Sequence, residues 1–242
     1  MMNLSSDKLR EGAKYLGLEL SPIQGDQFCT YYSHLVEANK HFNLTSIVEW
    51  EDVQTRHFLD SMSVSMALPA RTLMTGSVAD IGTGAGFPGV PLKIAFPGIK
   101  LCLIESVIKK AGFLRHIVEV LKLNDVEVYD QRAETLAHQP GLRESFDAVL
   151  CRGVAKLNVI SELMLPFCKV SGSCVAQKQG DIEAELHESR PAFKILGGEL
   201  REVIKVPSEI SGKPRLLVVV NKNAPTPAKY PRRPGIPAKR PL

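Results

Sequence analysis

Four glycines fall within eight residues of the segment Val78-Ala79-Asp80-Ile81-Gly82-Thr83-Gly84-Ala85-Gly86-Phe87-Pro88-Gly89, directly after a short apolar run. Glycines cluster at a strand end when a side chain would keep backbone amides away from a ligand. The spacing is G-x-G-x-G, and Phe87 stands where a dinucleotide fingerprint would place its third glycine. No Lys-Ser/Thr pair follows, so the segment is not a phosphate-binding P-loop. With Asp80 just ahead of Gly82, Gly84 and Gly86, the turn suits a cationic, phosphate-free ligand, and S-adenosylmethionine fits that description. The competing reading is a tight strand-to-helix turn that holds nothing.

A second acid, Glu105, ends the apolar run Lys100-Leu101-Cys102-Leu103-Ile104, about 20 residues past the glycines, the offset at which an acid reaches ribose hydroxyls in a βαβ unit. Alone it reads as an ordinary helix cap; paired with the glycine turn it reads as a ribose acceptor. Glu134, after the third apolar run, is placed to accept near an adenine or to lie on the surface as a solvated acid. Arg152 ends the fourth run, and its fork of donors suits a ligand carboxylate, an RNA phosphate, or an ion pair with Asp80 or Asp147. His57 and Asp60 either rim the pocket or pack a helix. The pair Lys109-Lys110 either meets phosphate or forms a solvated helix face. Lys178 ends a further run on the same side.

These residues need a frame. Strands are expected at 78–81, 100–105, 126–130, 146–151, 173–178, 200–206 and 215–221, with helices near 88–95, 107–122, 156–166 and 181–196. Ile108, Ala111, Leu114, Ile117, Val118 and Leu121 share one face at a 3.6-residue period. Alternating strands and helices imply an α/β, Rossmann-like, mostly parallel doubly wound sheet of seven strands. The last two strands, joined through Pro207 to Pro214 without a helix, imply an antiparallel edge. Ligands of such sheets sit at the carboxyl ends of the strands, where the glycine turn, Glu105, Ala133-Glu134 and Arg152 all fall. Residues 1–70 read as a helical extension. One helix runs from a cap at Ser6-Asp7 to about Leu18, a second from Pro22 to about Phe42, and a third begins at Arg56. The expected organisation is 1–70, 71–224 and a basic, proline-rich tail 225–242.

Bulk composition narrows the class. Hydrophobic residues make up 44% of 242, enough for a full core. No apolar run is long enough for a bilayer, and the opening residues lack a signal pattern, so a cytoplasmic protein is expected. Five cysteines without a C-x-x-C pair read as free thiols, with no metal site. The formal charge is +4, yet the tail alone holds Lys229, Arg232, Arg233, Lys239 and Arg240 without an acid. A near-neutral body with a basic arm suits a polyanion. The tail's six prolines argue for extended chain and against a helix.

Taken in order, the motifs Asn43-Leu44-Thr45-Ser46, Arg56-His57-x-Leu59-Asp60-Ser61, Asp80-x-Gly82-x-Gly84-Ala85-Gly86-Phe87-Pro88-Gly89, Glu105-Ser106-x-x-Lys109-Lys110-x-x-Phe113-Leu114, Arg132-Ala133-Glu134, Phe146-Asp147-x-Val149-x-x-Arg152 and the tail from Lys229-Tyr230-Pro231 onward resemble the glucose-inhibited division protein B family, the RsmG-type methyltransferases. The resemblance covers nearly the whole chain. It implies methyl transfer from S-adenosylmethionine to N7 of one guanine in small-subunit (16S) rRNA, with ligand-binding positions on Gly82, Phe87, Ala133, Glu134 and Arg152. Cys151-Arg152-Gly153 and Lys178-Gln179-Gly180 depart from the family's usual residues while keeping Arg152 and Lys178.

Guanine N7 carries a lone pair and no proton, so neither a general base nor a nucleophile is expected. Exocyclic-amine chemistry would show Asn/Asp-Pro-Pro-Tyr/Phe where Leu150-Cys151-Arg152-Gly153 stands, and Cys151 reads as a buried strand thiol, not a nucleophile. An RNA substrate, or the small subunit that contains it, makes Arg56, His57, Lys109, Lys110, Lys178 and the five tail cations candidate contacts. Removing Pro225–Leu242 is expected to weaken rRNA affinity and flatten its salt dependence while leaving cofactor binding intact. The alternatives are a methyltransferase acting on another substrate, and a non-catalytic RNA-binding module.

Overall fold

The protein is described by a computed structural model covering residues 4–211 and 213–242; residues 1–3, part of the expected extension, and Gly212 lie outside the described residues. The N-terminal part contains helices α1 (Asp7–Lys14), α2 (Pro22–Asn39), α3 (Trp50–Val53), α4 (Asp60–Met62) and α5 (Ala70–Thr75). A wide π turn, Gln54–Leu59, links α3 to α4, and a 3₁₀ turn, Ser63–Ala67, follows. Ser21 and Gln24 form a reciprocal capping box around Pro22, which fixes where α2 starts. The third expected helix, placed at Arg56, begins six residues earlier at Trp50, and α1 and α2 end at Lys14 and Asn39, short of Leu18 and Phe42.

Strands and helices then alternate: β1 (Ser77–Ile81), α6 (Gly89–Ala95), β2 (Lys100–Ile104), α7 (Ile108–Val120), β3 (Val126–Tyr129), α8 (Ala133–Leu136), β4 (Phe146–Arg152), α9 (Leu157–Met164), β5 (Cys168–Gln179), α10 (Glu183–Ile195), β6 (Gly198–Val206), α11 (Ser208–Ser211), β7 (Arg215–Lys222) and α12 (Ile236–Lys239). The seven strands form one sheet in the order β3-β2-β1-β4-β5-β7-β6, with β7 antiparallel to both neighbours. All seven expected strands are present. The link between the last two does carry a helix, the single turn α11. Pro207 precedes it, and Ile210 is buried beneath it.

Side-chain alternation divides the sheet's contacts between two layers. Val78, Leu101, Leu103, Ala148, Leu150, Val175, Leu217 and Val219 share a core with α2, α6, α7 and the N-terminal helices. Ala79, Ile81, Cys102, Ile104, Val149, Cys151, Cys174, Ala176, Val218 and Val220 pack under α8, α9 and α10. Residues before 70 therefore join one face of the sheet through a continuous buried cluster. Ile108, assigned to the apolar face of α7, is instead 73% exposed. It is the first residue of that helix. Cys102, Cys151, Cys168 and Cys174 are buried free thiols and Cys29 is half-buried.

Candidate functional site

The glycine turn leaves β1 at the carboxyl edge of the sheet, and β2 anchors it: the Gly82 and Thr83 amides both donate to the Ile104 carbonyl, at 2.8 and 3.3 Å. Gly82 has φ +66°, and a Cβ there would lie 2.7 Å from Val154 Cγ2. Gly86 has φ +106°, and its missing Cβ makes room for the Tyr31 hydroxyl, 2.5 Å from that position. Tyr31 donates that hydroxyl to the Ala85 carbonyl, so α2 clamps the turn from behind.

Asp80 does not face an opening. It is fully buried, and its Oδ2 accepts from Thr83 Oγ1 at 2.6 Å and from the Gly89 amide at 2.8 Å, tying both ends of the turn together. Oδ1 has no partner among the described residues, and burial pushes the carboxyl pKa up to about 6 against those two hydrogen bonds. Phe87 and Gly86 are likewise packing positions. The Phe87 ring stacks on His57 at 4.5 Å and lies 4.8 Å beneath the Arg152 guanidinium.

Glu105 is buried beside the turn. Its Oε2 accepts from the Gly84 amide at 3.0 Å and its Oε1 from the Val107 amide at 2.8 Å. These bonds fix the carboxylate at the strand end and leave it further lone pairs. Next to it lies a narrow crevice of about 90 Å³, lined by Ile81, Gly82, Ile104, Ser106, Ala133, Glu134 and Val154 among others. Gly82, Ala133 and Glu134 thus share one opening. Its apolar floor and the carboxylate in its wall suit part of a nucleoside whose hydroxyls donate. Glu134 is also structural: its Oε1 accepts from Arg132 at 3.2 Å and from the Gly235 amide at 3.0 Å.

That last bond belongs to the tail, where expectation and structure part. The tail lies folded against the body. Glu162, fully buried, grips Arg232: Oε1 accepts its amide at 2.7 Å and Nε at 2.9 Å, and Oε2 accepts Nη2 at 2.6 Å. Arg143 donates to the carbonyls of Thr226 and Tyr230, and His138 Nε2 donates to that of Pro231. A helical turn, α12, forms despite the prolines because Pro237 sits in its first turn, where no amide is required. Arg232 is therefore an internal ion-pair partner and not an open cation. Lys229, Arg233, Lys239 and Arg240 remain exposed.

A second cleft, about 630 Å³, opens between the N-terminal helices and the ends of β4, β5 and β7. Arg56, His57, Arg152, Lys178, Lys213 and Arg215 line it, with Thr45, Gly153, Gln177 and Glu185. Lys109 and Lys110 are not in its wall; they sit at the start of α7, exposed and half-exposed. Arg152 pairs with neither Asp80 nor Asp147. Its Nη1 donates to Asp60 Oδ2 at 3.0 Å, and Asp60 Oδ1 accepts from Arg215 Nε at 2.8 Å. Gln177 donates to the Asp60 carbonyl at 2.7 Å. Asp60 is wholly buried, so one carboxylate from the N-terminal helices holds two guanidinium groups from β4 and β7.

Arg152 Nη2 also lies 3.3 Å from His57 Nδ1, while His57 Nε2 is 2.8 Å from Thr45 Oγ1. Nδ1 also lies 3.1 Å from the Arg56 carbonyl, so it accepts from Arg152 in one tautomer and donates to Arg56 in the other. Burial, then the Arg152 charge, lowers the His57 pKa to about 3, so the ring is neutral at physiological pH. Burial raises the Cys151 thiol pKa strongly, which removes it as a nucleophile. The sequence offers His57 and Asp60 as rim candidates; Arg215, Gln177 and Glu185 carry no motif that marks them. Among the described residues, no group of three or more His, Cys, Asp or Glu is placed to hold a metal ion, and no helix is long and apolar enough to cross a membrane.

A family model described as rRNA small subunit methyltransferase G matches residues 24–211. A protein named ribosomal RNA small subunit methyltransferase G from Dehalococcoides mccartyi is 46% identical over 236 residues, covering 98% of this chain and 99% of the relative. One of the same name from Pelotomaculum thermopropionicum is 43% identical over 242 residues, covering 100% of both. A crystal structure of a MtNAS mutant in complex with S-adenosylmethionine aligns at a TM-score of 0.55 with 16% identity, covering 89% of this chain and 77% of that one, a likeness of fold alone.

Proposed function

The chain belongs to the rRNA small subunit methyltransferase G family, and from that premise we propose that it transfers a methyl group from S-adenosylmethionine to N7 of a guanine in 16S rRNA. The observation that carries the proposal is the junction of two openings. Val154 lines the glycine crevice and Gly153 the basic cleft, so two consecutive residues just past β4 border both openings. S-adenosylmethionine, when bound, supplies an electrophilic methyl on a cationic sulfur. Glu105 and Glu134 accept from the nucleoside's donors, and Gly82 lets it approach the main chain.

On the other side of β4, Arg56, Arg152, Lys178 and Arg215 attract and seat the phosphates around the target nucleotide. Two of these, Arg152 and Arg215, are held rigid by Asp60, which conserves the entropy otherwise lost on ordering them. The neutral His57 adds no charge of its own beside Arg152. N7 offers its lone pair without a proton to remove, so these residues need only align the base and exclude water. The exposed tail cations Lys229, Arg233, Lys239 and Arg240, with Lys109 and Lys110, extend the positive surface. Such work belongs in the bacterial cytoplasm, where small subunits assemble.

The test is mass spectrometry of small-subunit rRNA from cells with and without the protein, joined to labelled methyl transfer by the purified enzyme. The expected result is one 7-methylguanosine that disappears with the protein and returns in vitro. Transfer to another base or to protein, or none, overturns the reading.

A further inference from the structure

Five cations line the larger cleft: Arg56, Arg152, Lys178, Lys213 and Arg215. Among the described residues its one carboxylate is Glu185, from the first turn of α10. A carboxylate does not serve to bind phosphates, and here it offsets the charge of Lys178, with which it pairs. It suits a base edge. Guanine presents two adjacent donors, N1–H and N2–H, on its Watson–Crick edge, while adenine presents an acceptor at N1. We infer that Glu185 is the specificity-determining residue that accepts the Watson–Crick edge of the target guanine, a role that rests on the guanine-N7 reading above.

Glu185 is held for such a task. Its Oε1 accepts from the Leu157 amide at 2.6 Å and from Lys178 Nζ at 2.7 Å. The first bond ties it to the start of α9 and the second to the end of β5, so two separate elements fix its position. Neither bond uses Oε2. The side chain keeps 19% of its surface exposed, and that surface faces the cleft. A pre-positioned acceptor of this kind discriminates strongly, since the wrong base leaves it unpaired. The cleft's 630 Å³ admits a nucleotide turned out of its stack, the form in which enzymes read a Watson–Crick edge. Placing N1 and N2 against Glu185 also directs N7 away from it, on the opposite side of the purine.

The test uses the full-length protein and rRNA fragments carrying guanosine or inosine at the nucleotide that mass spectrometry identifies. Inosine keeps N7 and N1–H and lacks only the N2 amine. The wild type is expected to lose about tenfold to a hundredfold in kcat/KM on inosine RNA. Glu185→Gln is expected to lose activity on guanosine RNA and to show a guanosine-to-inosine ratio within about threefold of one, while Glu185→Asp keeps part of the wild-type ratio. Calorimetric titration with S-adenosylmethionine checks that each variant retains its cofactor pocket. A wild-type ratio near one overturns the inference whatever the variants do. So does a Glu185→Gln enzyme that is weaker on both RNAs with the ratio intact, because Glu185 would then act only by steadying Lys178. Failure of the wild type on guanosine RNA sinks the functional reading, and the inference with it.

Discussion

Asp60→Ala tests whether the buried carboxylate is the joint between the N-terminal helices and the sheet. The substitution removes a group with no exposed surface and strands two guanidinium groups whose side chains are 13% and 12% exposed. Removing one partner of a buried ion pair costs about 3–5 kcal/mol, because the survivor stays desolvated. Here two cations survive, but both border the cleft and regain some water, so about 4 kcal/mol is expected. That is a large share of the roughly 5–15 kcal/mol that stabilises a folded domain. With a urea dependence of about 3 kcal/mol/M, the midpoint falls by a little over 1 M. The double variant Asp60→Ala/Arg215→Met removes one stranded cation and is expected to recover about half of the loss, a coupling that a simple cavity would not produce. Urea titrations at pH 7.5 followed by circular dichroism measure both. A loss under about 1 kcal/mol for the single variant, or no recovery in the double, refutes the reasoning.

Gly82→Asp is expected to abolish S-adenosylmethionine binding, since its Cβ meets Val154 at 2.7 Å and φ is +66°; calorimetry with wild-type affinity would contradict this. Glu162→Gln loosens the tail by halving a bidentate charged grip, and S-adenosylmethionine affinity is expected to fall severalfold as Gly235 leaves Glu134; unchanged affinity, with proteolysis showing the tail released, counts against the link. For His57, the folded pKa of about 3 lies below the unfolded value near 6.5, so the unfolded chain binds the proton first as pH falls. Its contribution is therefore intact above pH 6.5 and lost below it. The stability difference between wild type and His57→Gln should narrow by about 1.4 kcal/mol per pH unit from 6.5 to 4.5, and parallel curves would reject the assignment.

Local signals carried most of the fold. The apolar runs at 78–81 and 100–105, the periodic face of α7 and the start of α2 at Pro22 are all written in neighbouring residues. The single-turn helices α8 and α11 escaped notice because four residues hold too little of a 3.6-residue period. The candidate site divides in the same way. The spacing of Gly82 and Glu105 along one βαβ unit singles them out, Glu134 follows from its place after the third strand, and Ala133 is marked only by the family resemblance; the crevice brings Gly82, Ala133 and Glu134 together. The partner of Arg152 was not legible, because Asp60 lies 92 residues away and nothing in composition selects it over Asp80 or Asp147. Arg232 misled for the same reason. A run of cations without acids reads as an open arm, and the neutralising Glu162 stands 70 residues upstream.

The bond from the Gly235 amide to Glu134 spans 101 residues, and translation takes time to cover that distance. At about 5–20 residues per second, roughly 5–20 s separate the appearance of one partner from the other. Through that interval the nascent polypeptide possesses its glycine turn but not the last donor beside it. Glu134 therefore gains its tail donor late in synthesis, and a chain that stops before Gly235 never makes that bond.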